Sequence, residues 1–165
     1  MVNYFKQITF INLIIILSIF FIDRISKIYV INQSKKEFSS ELFSSTYLNI
    51  NLMWNEGIAF GLFSFDERFF YNLLTILICV IIIVIFFMVL KNDGLKKYSL
   101  LMIFGGALGN LYDRVFFEAV PDFIDFHVGN FHWFVFNVAD IFISIGVLIM
   151  ILSEFKGTDN SNEKN

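Results

Sequence analysis

Four stretches of the chain are almost wholly apolar, and the polar residues gather between them. The apolar stretches lie at about 8–30, 69–90, 98–114 and 136–153. About 20 consecutive apolar residues cross a bilayer as a helix, so the pattern predicts four transmembrane helices. The third is short and carries Gly105, Gly106 and Gly109, so tilt or flanking residues must complete it. Lys6 ahead of the first run suits a signal peptide, but Phe21-Ile22-Asp23-Arg24 follows where a small-residue cleavage site would stand. The first run therefore reads as a retained helix. In the loop 31–68, after a polar opening over 32–45, the period changes to two. Leu48, Ile50, Leu52 and Trp54 would share one face of a strand, with Asn49, Asn51 and Asn55 on the other. A turn at Glu56-Gly57 would let 58–63 run back as a second strand. In the loop 115–135, Gly129-Asn130 is a two-residue hairpin turn that sets His127 opposite His132 and Phe126 opposite Trp133. The expected fold is an all-α polytopic membrane protein with four transmembrane helices and a small extracytoplasmic β-sheet. It forms one domain over 1–155, and the polar tail 156–165 is expected to be disordered and cytoplasmic.

Composition narrows the class. The chain is 57% hydrophobic with 23 Phe and a mean hydropathy of +0.70, which a soluble domain does not show. Lys91, Lys96 and Lys97 crowd the middle connection, and Lys6, Lys156 and Lys164 lie in the tails, whereas 115–134 lacks Lys and Arg. Basic residues stay on the cytoplasmic side, so both termini and the middle connection are expected inside and the two larger loops outside. The net charge of −3 lacks the basic excess of a nucleic-acid binder. Cys79 is the only cysteine, which rules out an intrachain disulfide and a cysteine metal cluster.

The chemistry lies in a few polar residues set in apolar sequence. Asp122 and Asp140 are both so placed, and an ionisable residue near bilayer depth marks a functional site. Two carboxylates brought together can share one proton, the core of an aspartic peptidase. Asn137 and Asp140 also have the spacing of a helix cap and its third residue, which explains that pair without catalysis. Asn110, Asp113 and Arg114 share one helical face, as a polar inner surface or as a structural Asp113–Arg114 pair. Asp23 and Lys27 form an i,i+4 pair, either neutralised structurally or in contact with substrate. Asp125, His127 and His132 offer three ligands for a metal-dependent hydrolase but lack a metal-specific spacing. There is no Gly-x-Ser-x-Gly elbow and no Gly-rich phosphate loop after a strand. A proton-coupled transporter is the other alternative, though the repeated halves usual in transporters are missing.

Five motifs occur in order over nearly the whole chain. They are Asp23-x-x-Ser26-Lys27, Asn55-x-Gly57-x-Ala59-Phe60, Gly105-Gly106-Ala107-x-Gly109-Asn110-x-x-Asp113-Arg114, Asp122-Phe123-Ile124-Asp125 and Phe136-Asn137-x-Ala139-Asp140. In them the chain resembles the bacterial lipoprotein signal peptidases, or signal peptidase II family. The resemblance implies a four-helix aspartic endopeptidase of the bacterial inner membrane, with both termini cytoplasmic and its active site near the outer face. It implies that Asp122 and Asp140 are catalytic, and that Asp125 is not. Asp23, Lys27, Asn55, Gly57, Asn110, Arg114, Asn137 and Ala139 would line or support the site. Substrates would be diacylglyceryl-modified prolipoproteins cut just before the lipidated cysteine. Membrane lipids and globomycin-type inhibitors would be further partners, and no metal or cofactor is implied. Arg24 stands where Gln is frequent in the family, and Pro121 where Val is usual. Pro121 should hold Val120 extended, which suits a strand.

Overall fold

The computed structural model describes residues 10–57 and 67–162. The elements run α1 (Phe10–Glu37), β1 (Glu41–Ser44), β2 (Leu48–Asn55), α2 (Glu67–Lys91), α3 (Gly94–Phe117), β3 (Val120–Val128), β4 (Phe131–Phe136) and α4 (Val138–Asn162). The proposed return strand over 58–63 lies outside the described residues. Helices α2, α3 and α4 each contain a segment long and apolar enough to cross a membrane. Helix α1 is 28 residues long but carries Asp23, Arg24 and Lys27 within its apolar stretch.

Helix α3 packs against the other three helices, and its small residues explain how. A Cβ at Gly105 would lie 3.1 Å from the Ile19 Cβ, and one at Gly109 would lie 2.6 Å from Asp23 Oδ2, so this stripe receives α1. Gly106 faces the other way, where a Cβ would come within 2.6 Å of the Ala139 carbonyl oxygen of α4. Close backbone approach of this kind is the general use of small residues between membrane helices. Because the obstacle at Gly106 is backbone, it cannot rotate aside. Gly106→Ala is expected to destabilise the protein by about 1–3 kcal/mol, read as a lowered thermal midpoint in detergent; an unchanged midpoint would refute the packing account.

Several boundaries differ from the sequence expectation. Helix α1 continues past 30 to Glu37, so much of the expected polar opening is helical. Lys35 and Lys36 occupy its last turn, where cations complement the helix dipole. Phe38 then takes a left-handed φ of 52°, and the Ser39 amide donates to the Ser34 carbonyl at 3.2 Å, a Schellman stop. Helix α3 exceeds the expected 98–114 at both ends. Helix α4 runs to Asn162, into the polar segment expected to be disordered; extending an existing helix avoids the cost of a new nucleus.

The strands form one antiparallel sheet in the order β1-β2-β3-β4. The expected hairpin at Gly129-Asn130 is present, with His127 opposite His132. The one-to-one Phe126–Trp133 pair is not. Asp125 faces Val135 and His127 faces His132, so two β4 residues oppose Phe126, a bulge on β4. A second bulge lies on β2: Ile50 faces Ile124 and Met53 faces Asp122, leaving Asn51 and Leu52 opposite Phe123 alone. This corrects the expected alternation, because beyond the bulge the two faces of β2 exchange. Met53 and Asn55, rather than Trp54, then join the face that carries Leu48 and Ile50. Strand β3 keeps its regular period through both ladders, with Val120, Asp122, Ile124 and Phe126 on one face and Pro121, Phe123, Asp125 and His127 on the other.

Candidate active site

Asp122 reaches the site from β3 and Asp140 from the first turn of α4. Asn137, between β4 and α4, holds both. Its Nδ2 donates to Asp122 Oδ1 at 2.6 Å, and its backbone amide donates to Asp140 Oδ2 at 3.1 Å. The Asp140 amide returns a bond to Asn137 Oδ1 at 3.2 Å. That reciprocal pair is a capping box, so the structural explanation of the spacing holds, and the same contacts position Asp140. The other two carboxylate oxygens also have neutral amide donors. Asn55 Nδ2 donates to Asp122 Oδ2 at 2.8 Å, and Asn110 Nδ2 donates to Asp140 Oδ1 at 2.8 Å.

Each amide is fixed by its remaining contacts. Asn55 Oδ1 accepts the Gly57 amide at 2.8 Å, with Gly57 at φ +77°, where a side chain would be strained. Asn110 Oδ1 accepts from Lys27 Nζ at 2.9 Å and from Asn137 Nδ2 at 3.1 Å. Burial pushes the Asp122 carboxyl above the ordinary carboxylate range; the Asn55 and Asn137 amides counteract this, and the charge on Asp140 adds to the rise. A cleft of about 380 Å³, lined by Met53, Trp54, Asn55, Glu56, Asp122 and Val135, opens onto Asp122.

Beneath the aspartates lies a charged cluster between α1 and α3. Lys27 Nζ donates to Asp23 Oδ2 at 2.8 Å and to Asp113 Oδ2 at 2.7 Å as well as to Asn110, which uses all three of its donors. Arg24 meets Asp113 at 2.6 and 2.7 Å and lies 4.9 Å over the Tyr112 ring. Two acids and two bases balance, and the Asp23, Lys27 and Asp113 side chains are wholly buried. Asp23 Oδ1 also accepts the Ala139 amide at 3.0 Å, which places a carboxylate on the N-terminus of α4.

Of the expected supporting residues, Asp23, Lys27, Asn55, Gly57, Asn110, Asn137 and Ala139 join one network with the two aspartates. Arg114 is the exception: it reaches the Asn110 carbonyl at 3.4 Å, and its Nε is buried without a hydrogen-bond partner among the described residues. The structural Asp113–Arg114 pair, one of the two readings of that face, does not form, because Asp113 pairs with Arg24 and Lys27. Arg24, which the sequence marks only as a departure from the family's frequent Gln, joins the cluster; the signal for this is a second cation one helical turn before Lys27. Asp125, His127 and His132 do converge, with ligand atoms within 4.8 Å of one another, but on the face of β3 opposite Asp122.

Two carboxylates gripped by one asparagine, among apolar helices, form a candidate acid–base pair. A sequence model of the family described as Signal peptidase (SPase) II matches residues 15–156. The chain is 54% identical over 157 residues to a lipoprotein signal peptidase of Pelagibacter ubique (strain HTCC1062), covering 94% of this chain and 95% of that one. It is 37% identical over 157 residues to that of Aquifex aeolicus (strain VF5), covering 94% and 92%. A solved structure of a bacterial membrane enzyme, determined by the in meso method, superposes with a TM-score of 0.72 at 30% identity over 90% of each chain. The chain belongs to the signal peptidase II family.

Proposed function

We propose that Asp122 and Asp140 are the catalytic pair with which this peptidase removes signal peptides from prolipoproteins. The observation that carries the assignment is Asn137, whose two donors hold one oxygen of each carboxylate. With one proton shared across the pair, the ionised carboxylate takes a proton from water as it attacks the scissile carbonyl. The protonated one donates to the developing oxyanion. The two roles are assigned to the pair and not to either residue. Membership of the family removes the transporter alternative.

The substrate in this proposal is the diacylglyceryl-modified prolipoprotein, cut just before its lipidated cysteine, with membrane lipids around it and globomycin-type peptides as competitors. The acyl chains and leader helix would lie against apolar helices while the scissile bond is set beside the polar network. A substrate already in the bilayer gains little from transferring its methylenes, so lipidation acts mainly through orientation. The unlipidated form should therefore lose at least about tenfold in kcat/KM in matched detergent, and EDTA should not inhibit either form. Equal kcat/KM for the two forms would make the enzyme a general membrane peptidase, and loss of activity in EDTA would make it a metallohydrolase.

The same proposal makes α1 a fourth span, puts both termini in the cytoplasm of a bacterial inner membrane, and sets the sheet and Asp122 near the outer face. The basic connection around Lys91, Lys96 and Lys97 supports it. With Cys79 replaced by Ala, a cysteine at Asn130 should be labelled by an impermeant external thiol reagent, and one at Asn92 should be shielded. The reverse pattern would invert the protein.

A further inference from the structure

The chain has two histidines, and both stand on the β3–β4 hairpin with Asp125. We infer that Asp125, His127 and His132 bind a divalent transition-metal ion, with zinc the best fit, as a clamp across β3 and β4 separate from the catalytic pair. The placement follows from strand geometry. Asp125 and His127 are two residues apart on the regular strand β3 and share a face, and His132 lies directly across from His127 on β4.

Three features of the side chains point to an ion. Their potential ligand atoms already lie within 4.8 Å of one another. On a tetrahedral zinc with bonds of about 2.0–2.1 Å, such atoms are about 3.3 Å apart, so binding needs side-chain rotations that close the gap and turn the nitrogens of the stacked His127 and His132 rings toward a common point. Asp125 is 6% exposed, and its carboxylate faces His132 Nδ1 at 2.9 and 3.1 Å, with Asn49 Nδ2 donating to its Oδ2 at 3.3 Å. The cluster thus holds an oriented carboxylate beside an imidazole. His127 Nδ1 is shut off from solvent and has no hydrogen-bond partner among the described residues, although its backbone is pinned by a 3.0 Å bond to the Tyr47 carbonyl. A buried nitrogen left unused calls for a partner, and with the ring proton on Nε2 an ion in the cluster supplies one to the Nδ1 lone pair.

One carboxylate and two imidazoles suit zinc, nickel or copper rather than magnesium or calcium. The catalytic pair is excluded from the cluster because Asp122 projects from the other face of β3, toward Asn55 and Asn137. The ion would fasten the strand that carries Asp122 to the strand that leads into Asn137.

The test uses the full chain in detergent, purified through a tag without histidine, stripped with EDTA and titrated with Zn²⁺ against a competing indicator. The expected result is one ion per chain and a raised thermal midpoint. His132→Ala and His127→Gln should each weaken binding more than about tenfold and abolish the thermal shift. Both variants should cleave a lipidated prolipopeptide in EDTA at the wild-type rate, which shows that they are folded. Absence of stoichiometric Zn²⁺ uptake, or equally tight uptake by both variants, would overturn the site. Inhibition of the wild type by EDTA would overturn the separation from catalysis.

Discussion

Asp122→Asn and Asp140→Asn are each expected to lower kcat by at least about a thousandfold while the protein still folds and inserts. The amide keeps the size of the carboxylate but cannot take or give the proton, and positioned acid–base groups are worth about 10² to 10⁴ in rate. The hydrogen bonds around the two residues predict the same side effect. Both Asp122 oxygens accept from side-chain amides of Asn55 and Asn137, so an asparagine there sets one donor against another. Asp140→Asn meets the same conflict with Asn110 or the Asn137 amide. Single-turnover cleavage of a lipidated prolipopeptide, with folding checked by thermal midpoint, is the measurement. Substantial turnover by either variant would end the assignment. In the wild type, the raised Asp122 carboxyl holds the shared proton to higher pH, so the falling limb of the pH–rate profile should lie above the ordinary carboxylate range.

Lys27→Met is expected to produce the largest loss of stability, about 3–5 kcal/mol. The methionine fills the space of the lysine stem but leaves Asp23 and Asp113 facing each other with only Arg24 to balance them. Both acids are fully buried, so water cannot replace the lost ammonium. Asn110 also loses one of its two donors, which loosens the amide that holds Asp140. Activity should therefore fall along with stability. Adding Asp113→Asn removes the surplus charge and should recover part of the thermal midpoint without recovering full activity. No recovery would show that the lysine acts through packing rather than through charge.

The helices were legible because apolar length is a strong signal, and their ends were not. The expected end of α1 at 30 ignored how readily a formed helix takes up Asn32 to Lys36, with a Schellman stop on Phe38, a residue with no evident preference for φ > 0. The third span looked short because Asp113 and Arg114 read as an interfacial end. In the structure Asp113 faces inward, neutralised by cations of α1. Which partner an acid takes is a tertiary fact, and nothing local distinguishes Arg114 from Arg24 and Lys27. Asp122, Asp140 and Asn137 were legible as polar residues in apolar surroundings, and the family motifs placed the rest of the network. Strand β1 escaped notice because Glu41–Ser44 carries no alternating pattern. The bulge on β2 is marked in the sequence only by Met53, which breaks the alternation in Leu52-Met53-Trp54, and the extra residue exists only relative to β3.

That bulge sets local order in the sheet against the chemistry. Deleting Asn51 or Leu52 would let β2 and β3 pair evenly and give a more regular ladder. It would leave Asn55 opposite Val120; even pairing of the undeleted strand would instead set Asn55 opposite Ala119, on the face turned away from Asp122, stripping one oxygen of its donor. At the strand's present length, a regular ladder and the Asn55–Asp122 contact therefore exclude each other. The side of the sheet on which Asn55 lies is fixed by its partner on another strand, not by its place in the alternating sequence.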